Sequence, residues 1–379
     1  MPSFYQDDLL NVLSASDEVD LQVIFAHPLT SDRAQLGWKP QARNYPHRTL
    51  SSRYALGDAM RLARAGRERL HIVNGIWAEP AFAAALGVLA KSQSQFLIYS
   101  EAPDPTHPAS GLKKLLRNGF GKWVAHRSSG LLAVSHFAAQ FYAELGFDET
   151  RIYPFGYFRA LDDAISESLK INDCLSADSA IEIIFVGQLA RRKGIDILLD
   201  AIAPLCREYP KLKLTLIGVG ESETALRQQA ENSGITGRVG FIGAMPSDEI
   251  PQRLAKARAL VLPSRWDGWG LVVNEALTAG VPVIVSDRCG AADLIQQGVN
   301  GFIFRSENVD SLRRACRRFL NSSEAQTSMR RAARATGEAI SAAVAAAYLI
   351  DCLQQVMRNS QVKPMPPWAQ ISFAENRKF

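Results

Sequence analysis

Residues 259–279 read ALVLPSRWDGWGLVVNEALTA, and this stretch predicts a strand, a glycine-rich turn and a helix. The strand is expected at Ala259–Leu262 and the helix at Leu271–Ala279. Glycines in the turn let the backbone approach a ligand, and a helix N-terminus offers free N–H groups that suit a phosphate. Asp267 lies in the turn and Glu275 about two helical turns further on. The two acids are therefore expected to contact the head and the middle of one ligand, unless the pair simply lies on a solvated helix face.

Outward from this stretch, the second half of the chain alternates strands with helices. Apolar runs predict strands at Ile181–Val186, Leu212–Ile217, Val239–Ile242, Ala259–Leu262 and Val281–Val285. Helical patterns separate them at Ile195–Glu208, Glu221–Ser233, Ser247–Ala257 and Leu271–Ala279. Such alternation predicts βαβ units with a parallel sheet, whose ligands bind at the carboxyl ends of the strands.

The first half alternates less clearly. Its expected strands are Leu21–Phe25, His71–Val73, Phe96–Tyr99, Gly130–Val134 and Arg151–Tyr153. Helices are expected at Asp7–Ser14, Leu50–Arg67, Ala81–Lys91 and Phe137–Leu145. The domain boundary is expected near Arg159, and an Ala-rich helical run is expected over Gly337–Met357.

Length and composition describe an ordinary globular protein. At 379 residues the chain is expected to form two or three domains, and 47% hydrophobic with 21% charged residues is typical of a soluble protein. A net charge of +5 suits nucleotides or a lipid surface but is too small to indicate nucleic acid. No apolar run approaches the ~20 residues of a spanning helix, and no signal peptide is visible. Five scattered cysteines predict free thiols in a reducing compartment, so we expect a cytoplasmic protein: Cys174, Cys206, Cys289, Cys316 and Cys352.

The run from Asp267 to Glu275 resembles the E-x7-E motif of the GT4 family of retaining, group 1 glycosyltransferases. The family usually has Glu-Gly-Phe-Gly where this chain has Asp267-Gly268-Trp269-Gly270, so the acid is one methylene shorter. The resemblance implies an α/β protein of the GT-B fold, with two facing Rossmann-like domains and a cleft between them. It implies that the second domain binds a nucleoside diphosphate sugar through Asp267, Glu275 and the turn. It also implies that the first domain binds a glycan or lipid-linked acceptor, and that the anomeric configuration is retained.

The resemblance also suggests how the chain is divided. The expected parts are an acceptor domain over 1–159, a donor domain over 160–336 and a segment 337–379. That last segment would hold a helix crossing back to the first domain and an irregular tail. Family members have a strand before the loop at residues 1–6, so we expect either a start further upstream or a first domain without that strand.

A basic loop follows the first strand of the second half and reads GQLARRKG over 187–194. Three consecutive cations there can neutralise a diphosphate. The loop resembles the family's Gly-Arg-Leu…Lys-Gly loop, which implies that Gly187 and Lys193 contact the donor's phosphates. Gln188 stands where arginine is usual, so Arg191 or Arg192 is expected to replace that contact. The alternative is a solvated basic loop.

Several other stretches predict weaker sites. Gly218-Val219-Gly220 resembles a family loop at the nucleotide cleft, and Glu223 stands where an NAD fingerprint needs a third glycine. Gly290–Ile295 and Asn300-Gly301 occupy the place of a further family motif, from which Ala291 and Asp293 depart. Glu101 follows a strand where the family often carries His or Asp near the reacting sugar, so it is a catalytic candidate or a solvated loop acid.

Residues 111–127 form a basic amphipathic stretch. Lys113, Lys114, Arg117, Lys122 and Arg127 alternate with Leu112, Leu115, Phe120 and Trp123. Such a stretch either lies on an anionic membrane or packs its apolar side on the protein core.

These patterns predict a glycosyltransferase that uses a nucleotide sugar, in cell-surface polysaccharide biosynthesis. The expected catalytic residues are Asp267, Lys193 and Glu101, without a metal or other cofactor because no Asp-x-Asp motif is present. Three alternatives stay open. They are another GT-B enzyme acting on nucleotide sugars or sugar phosphates, an NAD-dependent oxidoreductase, and a non-catalytic or truncated relative.

Overall fold

The computed structural model describes residues 4–28, 43–51, 53–66, 68–106, 110–161, 180–322, 325–360 and 362–370. Cys174 and most of the polar segment after residue 161 lie outside these ranges. The described chain divides into two compact units. The first unit contains the described residues up to 28, 43–158 and 342–366, and the second contains 159–341 and 367–370.

Twelve strands and twelve α-helices are formed by the described residues. The strands are β1 Val23–Phe25, β2 His47–Thr49, β3 His71–Asn74, β4 Phe96–Glu101, β5 Gly130–Val134, β6 Ile152–Phe155, β7 Ile181–Val186, β8 Leu212–Ile217, β9 Val239–Gly243, β10 Ala259–Leu262, β11 Val283–Ser286 and β12 Gly301–Phe304. The helices are α1 Phe4–Ser14, α2 Ala55–Ala65, α3 Pro80–Ser92, α4 Gly111–Arg127, α5 Ser135–Leu145, α6 Ile195–Glu208, α7 Glu223–Asn232, α8 Ile250–Ala255, α9 Val272–Thr278, α10 Val309–Asn321, α11 Gln326–Ala339 and α12 Ala342–Met357.

The first unit is built on a four-stranded parallel sheet in the order β3-β4-β5-β6, and β1 and β2 pair in a separate parallel sheet. β5 is wholly apolar and buried, and β4 is buried up to Ser100, as is typical of strands covered on both faces by helices. The core beneath them includes Phe96, Ile98, Leu131 and Tyr142.

The second unit is a six-stranded parallel sheet in the order β12-β11-β10-β7-β8-β9. The chain runs outward from β7 through β8 to β9, and then returns to the other side of β7 for β10, β11 and β12. The strand order therefore reverses between β7 and β10, where parallel α/β sheets leave a crevice at their carboxyl ends. The predicted alternation of strands and helices is confirmed in this unit, and β7, β8, β10 and α6 have the predicted bounds.

Some predicted elements differ from the structure. β2 and β12 were not predicted, and α1 begins at Phe4 although Met1–Gln6 was interpreted as a loop. α4 runs without a break through Gly119 and Gly121, although glycine is a poor helix former. A Cβ at Gly121 would lie 2.6 Å from the Trp77 ring, so this glycine lets α4 pack closely on its own unit.

The expected C-terminal segment over 337–379 is divided differently. α11 ends at Ala339 and α12 begins at Ala342, with α12 in the first unit and α11 in the second. At Gly337 a Cβ would come within 2.6 Å of the Thr278 backbone. α11 therefore packs tightly against α9, and the Ala-rich run is two helices rather than one.

Candidate active site

The reversal point of the second sheet is where most of the predicted site residues meet. The loop after β7 contributes Gly187 to Lys193, and the turn after β10 contributes Asp267 to Gly270. The two segments are joined by hydrogen bonds between the main chains, including one from the Arg265 N–H to the Arg192 carbonyl at 2.8 Å. The structure thus brings together the two motifs that the sequence placed 74 positions apart.

Lys193 and Asp267 form an ion pair across this crevice. The Lys193 Nζ lies 2.5 Å from Asp267 Oδ2, and the two side chains are 12% and 13% exposed. The main chain of Asp267 is fixed as well, since its N–H donates to the Arg288 carbonyl and its carbonyl accepts from the Gly290 N–H, each at 3.0 Å. A cation and a carboxylate are therefore held side by side at the edge of solvent.

Two glycines make this arrangement possible by close approach of the backbone. At Gly194, φ is +66° and a Cβ would lie 2.1 Å from the Pro263 carbonyl oxygen. At Gly270, φ is +92° and a Cβ would lie 2.5 Å from the Cys289 Sγ. Neither position accommodates a side chain without movement of its neighbours.

The turn that carries Asp267 is held by Trp269, which was predicted to bind the donor as part of this turn. Its side chain is 4% exposed and its Nε1 donates to Asn274 Oδ1 at 2.8 Å. Its carbonyl accepts from the Cys289 thiol at 2.8 Å and from the Ala291 N–H at 2.7 Å. Burial leaves no face of the ring for a ligand, so Trp269 supports the turn. Gly268, beside it, is partly exposed.

Glu275 lies in the first turn of α9 and is partly buried. Burial raises the pKa of its carboxyl to about 7, and the nearby Arg159 guanidinium opposes this shift. Among the described residues, no hydrogen-bond donor is bound to this carboxylate. Glu275 is therefore an acceptor group whose charge changes near neutral pH and whose oxygens are available to a ligand.

The basic loop has the exposed cations that the sequence predicted. Arg191, Arg192 and Lys193 form a 3-10 turn before α6, and the side chains of Arg191 and Arg192 are exposed. Within the described chain neither arginine side chain has an ion-pair partner. Gln188 is also exposed, whereas Gly187 is partly buried. Gly187 lies next to the Lys193 side chain, since a Cβ at position 187 would be 3.9 Å from the Lys193 Cε.

The loops after β7 and β8 pack against each other through glycines. A Cβ at Gly218 would lie 1.9 Å from the Gly187 carbonyl oxygen, and one at Gly220 would lie 2.4 Å from that of Leu189. The Gly218 N–H donates to the Gly243 carbonyl at 2.8 Å. These glycines let three strand ends converge, which is a structural role that the sequence pattern did not predict.

Glu101 lies in the first unit, at the end of β4. It is partly buried, and its Oε1 accepts a hydrogen bond from the Tyr157 hydroxyl at 2.6 Å. Tyr99, buried below, donates to the Gly156 carbonyl at 3.1 Å. Glu101 is therefore a fixed acid and not a loosely solvated loop residue. His27, by contrast, is half-exposed and contacts Glu79 at 2.7 Å.

Sequence reasoning missed the side chain of Arg265, which makes more polar contacts in this region than any predicted site residue described above. It contacts Asp196, Glu307 and the Arg191 carbonyl. Its distance from its partners in the sequence hid these contacts. Within the described part of the chain, no group of three His, Cys, Asp or Glu side chains is arranged to hold a metal ion.

The sequence model of the family described as glycosyl transferases group 1 matches residues 170–336. The matched residues lie within the second unit. Two curated relatives are similar to part of the chain. The uncharacterized glycosyltransferase MJ1607 of Methanocaldococcus jannaschii is 34% identical over 130 residues, which is 34% of this chain and 33% of the relative. The glycogen synthase of Mycobacterium tuberculosis is 32% identical over 153 residues, 40% of this chain and 37% of the relative. The alignments thus span little more than a third of these relatives.

Solved structures of glycosyltransferases resemble the chain over nearly its whole length. Anabaena Alr3699/HepE, crystallised in complex with UDP, has a TM-score of 0.72 and 17% identity, covering 94% of this chain and 97% of that protein. The lipopolysaccharide outer core galactosyltransferase WaaB has a TM-score of 0.61 and 17% identity, covering 84% and 85%. At this identity the likeness shows the fold, and it confirms the predicted α/β class of GT-B type.

Proposed function

We propose that this chain is a retaining glycosyltransferase that transfers a sugar from a nucleoside diphosphate sugar to a glycan or lipid-linked acceptor. The observation that carries the proposal is the Lys193–Asp267 ion pair at the reversal point of the second sheet. Asp267 also lies eight residues before Glu275 in the sequence. We assign Asp267 to the sugar, Lys193 to the diphosphate and Glu275 to the ribose of such a donor.

Each group has a role that its surroundings suit. Lys193, with the exposed Arg191 and Arg192, neutralises the charge that grows on the leaving diphosphate. Asp267 accepts hydrogen bonds from the sugar hydroxyls, and Glu275 accepts them from the ribose. The charge of the diphosphate is thus neutralised by side-chain cations and by no metal ion, because the loop holds three consecutive basic residues.

Glu101 is proposed to act on the acceptor side. It is the acid that follows β4 in the first unit, and the bond from Tyr157 fixes its carboxylate. Such a group receives a proton from an attacking hydroxyl or orients the sugar. The relatives support a nucleotide-sugar donor, since HepE was crystallised with UDP and with UDP-glucose, and a matching mycobacterial mannosyltransferase is named as GDP-mannose-dependent.

A membrane-facing role in cell-surface polysaccharide biosynthesis is part of the same proposal. No helix within the described parts of the chain is long and apolar enough to span a bilayer. α4 has Leu112, Leu115 and Leu116 exposed at 70%, 70% and 64%, on either side of Lys113 and Lys114 in the sequence. These leucines lie three and four residues apart and therefore share one helix face.

The structure also changes which residues of α4 can contact lipid. Phe120 and Trp123 were expected in the interface, but both pack against the core of the first unit. The contact is therefore proposed for the first two turns of α4, on the cytoplasmic face of an anionic membrane. A second copy of the chain fits this surface less well, because α4 has no acidic residue and would oppose its own cations.

The experiment that tests the proposed function is turnover of a panel of nucleotide sugars by the full chain, followed by identification of the products. A glycosyltransferase releases the free nucleoside diphosphate. When no acceptor is present, it does so at least slowly by transferring the sugar to water. Release of a sugar phosphate together with a nucleoside monophosphate would instead show cleavage within the diphosphate, which is not sugar transfer. An absence of turnover with every donor, with and without lipid-linked acceptors, would favour a non-catalytic relative.

A further inference from the structure

Arg265 lies between β10 and the turn that carries Asp267, and its side chain points back toward the basic loop. The guanidinium Nη1 donates to the Arg191 carbonyl at 2.7 Å, while the main-chain N–H of the same residue donates to the Arg192 carbonyl at 2.8 Å. Arg265 therefore binds two successive carbonyl groups immediately before Lys193. Its side chain is only 19% exposed.

The same guanidinium is fixed by carboxylates on two other elements. It forms a bidentate pair with Asp196 in the first turn of α6, with Nη1–Oδ1 and Nη2–Oδ2 distances of 2.8 and 2.7 Å. Its Nε contacts Glu307 Oε1 at 3.2 Å. Burial acts to raise the pKa of Asp196, but the hydrogen bonds and charge of Arg265 outweigh it, and the pKa is lowered overall. Only the planar fork of an arginine reaches the carbonyl and the carboxylate in this geometry.

The turn Arg191–Lys193 is thus attached on both sides to the segment that leads to Asp267. Arg265 holds its beginning, and Gly194 holds its end by packing against the Pro263 carbonyl. Lys193 lies between these two attachments and reaches Asp267, two residues after Arg265. The spacing of cation and acid therefore depends on where Arg265 places the backbone of the loop.

We propose that Arg265 is a positioning residue for the diphosphate-binding loop, which acts by fixing the main chain that carries Lys193. This inference rests on the proposed function and extends it to a residue that does not touch the donor. Without Arg265, Lys193 keeps its charge but loses its fixed place, and misplacing a catalytic group by about 1 Å costs up to about 100-fold in rate.

A matched control lies on the same helix. At the other end of α6, Glu208 pairs with Arg317 in the same bidentate manner, at 2.6 and 3.1 Å. Arg317 has no bond to the basic loop. Arg317→Met removes an ion pair from α6 as Arg265→Met does, but it leaves the loop alone.

The experiment uses the full chain and measures binding of UDP, GDP and ADP and of their nucleosides, and turnover of the nucleotide sugar that wild type accepts. Arg265→Met should weaken binding of the diphosphate about tenfold and lower kcat by 10- to 100-fold, with nucleoside binding unchanged. Arg265→Lys should recover only part of the loss, and Arg317→Met should match wild type. Asp196→Asn is the second variant in case Arg265→Met folds poorly. It keeps the bonds from Arg265 to the loop carbonyls but weakens the Arg265–Asp196 ion pair, so it should give a smaller loss of the same kind.

The decisive comparison is made in the Lys193→Ala background. If Arg265 acts through Lys193, adding Arg265→Met there should cost much less than it does in wild type, so the two losses are not multiplicative. Multiplicative losses, equal weakening of nucleoside and diphosphate, or an effect no larger than that of Arg317→Met would overturn the inference. Failure of wild type to bind any of the three diphosphates would instead reject the proposed function itself, and this inference with it.

Discussion

Lys193 and Asp267 are bonded to each other at the reversal point of the second sheet. A diphosphate that approaches Lys193 must therefore share the ammonium group with Asp267 or take it from the acid. Because both side chains are largely shielded from water, their attraction is stronger than that of an exposed pair. A mobile lysine would have to be ordered as charge develops, whereas this one is already in place.

Lys193→Ala should therefore lower turnover more than donor affinity. Removing one preorganised donor to a developing negative charge costs roughly 3–4 kcal/mol of barrier, or about 10²- to 10³-fold in kcat. The measurement is steady-state kinetics with the accepted nucleotide sugar, with Lys256→Ala, an exposed lysine in the same unit, as the control. A variant whose KM rises while kcat is unchanged would show that Lys193 is only a binding group.

Glu275 predicts a pH dependence of nucleotide binding. Only its carboxylate form accepts two hydroxyl hydrogen bonds, and burial raises its pKa to about 7. As pH rises from 6 to 8 the ionised fraction grows about tenfold, and diphosphate affinity should grow with it. Titration calorimetry on wild type and Glu275→Gln tests this. The phosphate itself ionises near pH 6, so the quantity to follow is the difference between the two proteins. If diphosphate affinity changed with pH in the same way in both proteins, Glu275 would not be a binding residue.

The same pKa shift has the opposite effect on the ligand-free protein. A Glu whose pKa is raised by folding is destabilising once it ionises, so the free energy of unfolding should fall as pH rises from about 4.5 to about 7. Glu275→Gln should remove this fall. Urea unfolding at several pH values measures it, and an identical slope in wild type and variant would contradict the assignment.

Among the elements, the basic loop and the turn after β10 act as one structural piece. Their contact is between backbones, at Gly194 and Pro263 and at Arg265 with the two carbonyls before Lys193. Such a contact leaves a weak signal in the sequence. The glycine was visible, but the residue against which it packs could be found only from the fold.

Gly194→Ala should destabilise the second unit and lower turnover. The left-handed backbone alone costs a side chain about 1–3 kcal/mol, and the collision with the Pro263 carbonyl adds to this. Gly234→Ala is the matched control, since φ there is +69° and no atom lies within 4 Å of a new Cβ. Denaturant unfolding should show a clearly larger loss at 194. Equal losses would mean that the close approach contributes nothing.

α4 predicts reversible binding to anionic membranes. Each Lys or Arg near such a surface contributes about 1 kcal/mol, so Lys113→Glu with Lys114→Glu should weaken binding at least tenfold. Replacing Leu112, Leu115 and Leu116 by Ser should weaken it further, because their apolar contact is lost. Sedimentation with vesicles of phosphatidylcholine, with and without phosphatidylglycerol, measures both effects, and high salt should reduce binding.

The control for this test replaces three equally exposed apolar residues of the same unit by Ser, namely Met357, Val362 and Met365. These changes should leave vesicle binding intact. Equal pelleting with both kinds of vesicle, or with neither, would leave α4 as an ordinary surface helix. Self-association that depends on the three leucines would identify a second copy of the chain as the partner.

In the molecule as a whole, sequence reasoning succeeded where the chain is most regular. Continuous apolar runs such as Ala259–Leu262 are typical of strands buried on both faces, so their bounds and the parallel sheet followed from the sequence. Three-residue strands such as β2 carry too little periodicity, and β12 was hidden because Asn300-Gly301 was interpreted only as a turn. The same limit applies to the division of the Ala-rich run into two helices.

The site was predictable to the extent that its residues are neighbours in the sequence. The spacing of Asp267 and Glu275 and the run of three cations were both visible. The burial of the Trp269 side chain was not predictable, because the sequence alone does not tell whether an aromatic residue in a turn contacts a ligand or packs in the core. The contacts of Arg265 with Asp196 and Arg191 were also hidden, since they join segments about 70 residues apart.

The central claim is that the second unit binds the nucleoside diphosphate part of a sugar donor through Glu275 and the basic loop. Titration calorimetry of UDP, GDP and ADP with wild type and Glu275→Ala tests it most directly. One diphosphate should bind with a stoichiometry of one, and the folded variant should bind it about 10- to 100-fold more weakly, because a hydrogen bond to a charged acceptor is worth ~1.5–3 kcal/mol. Unchanged affinity in the folded variant, or no binding of any diphosphate by wild type, would contradict the account.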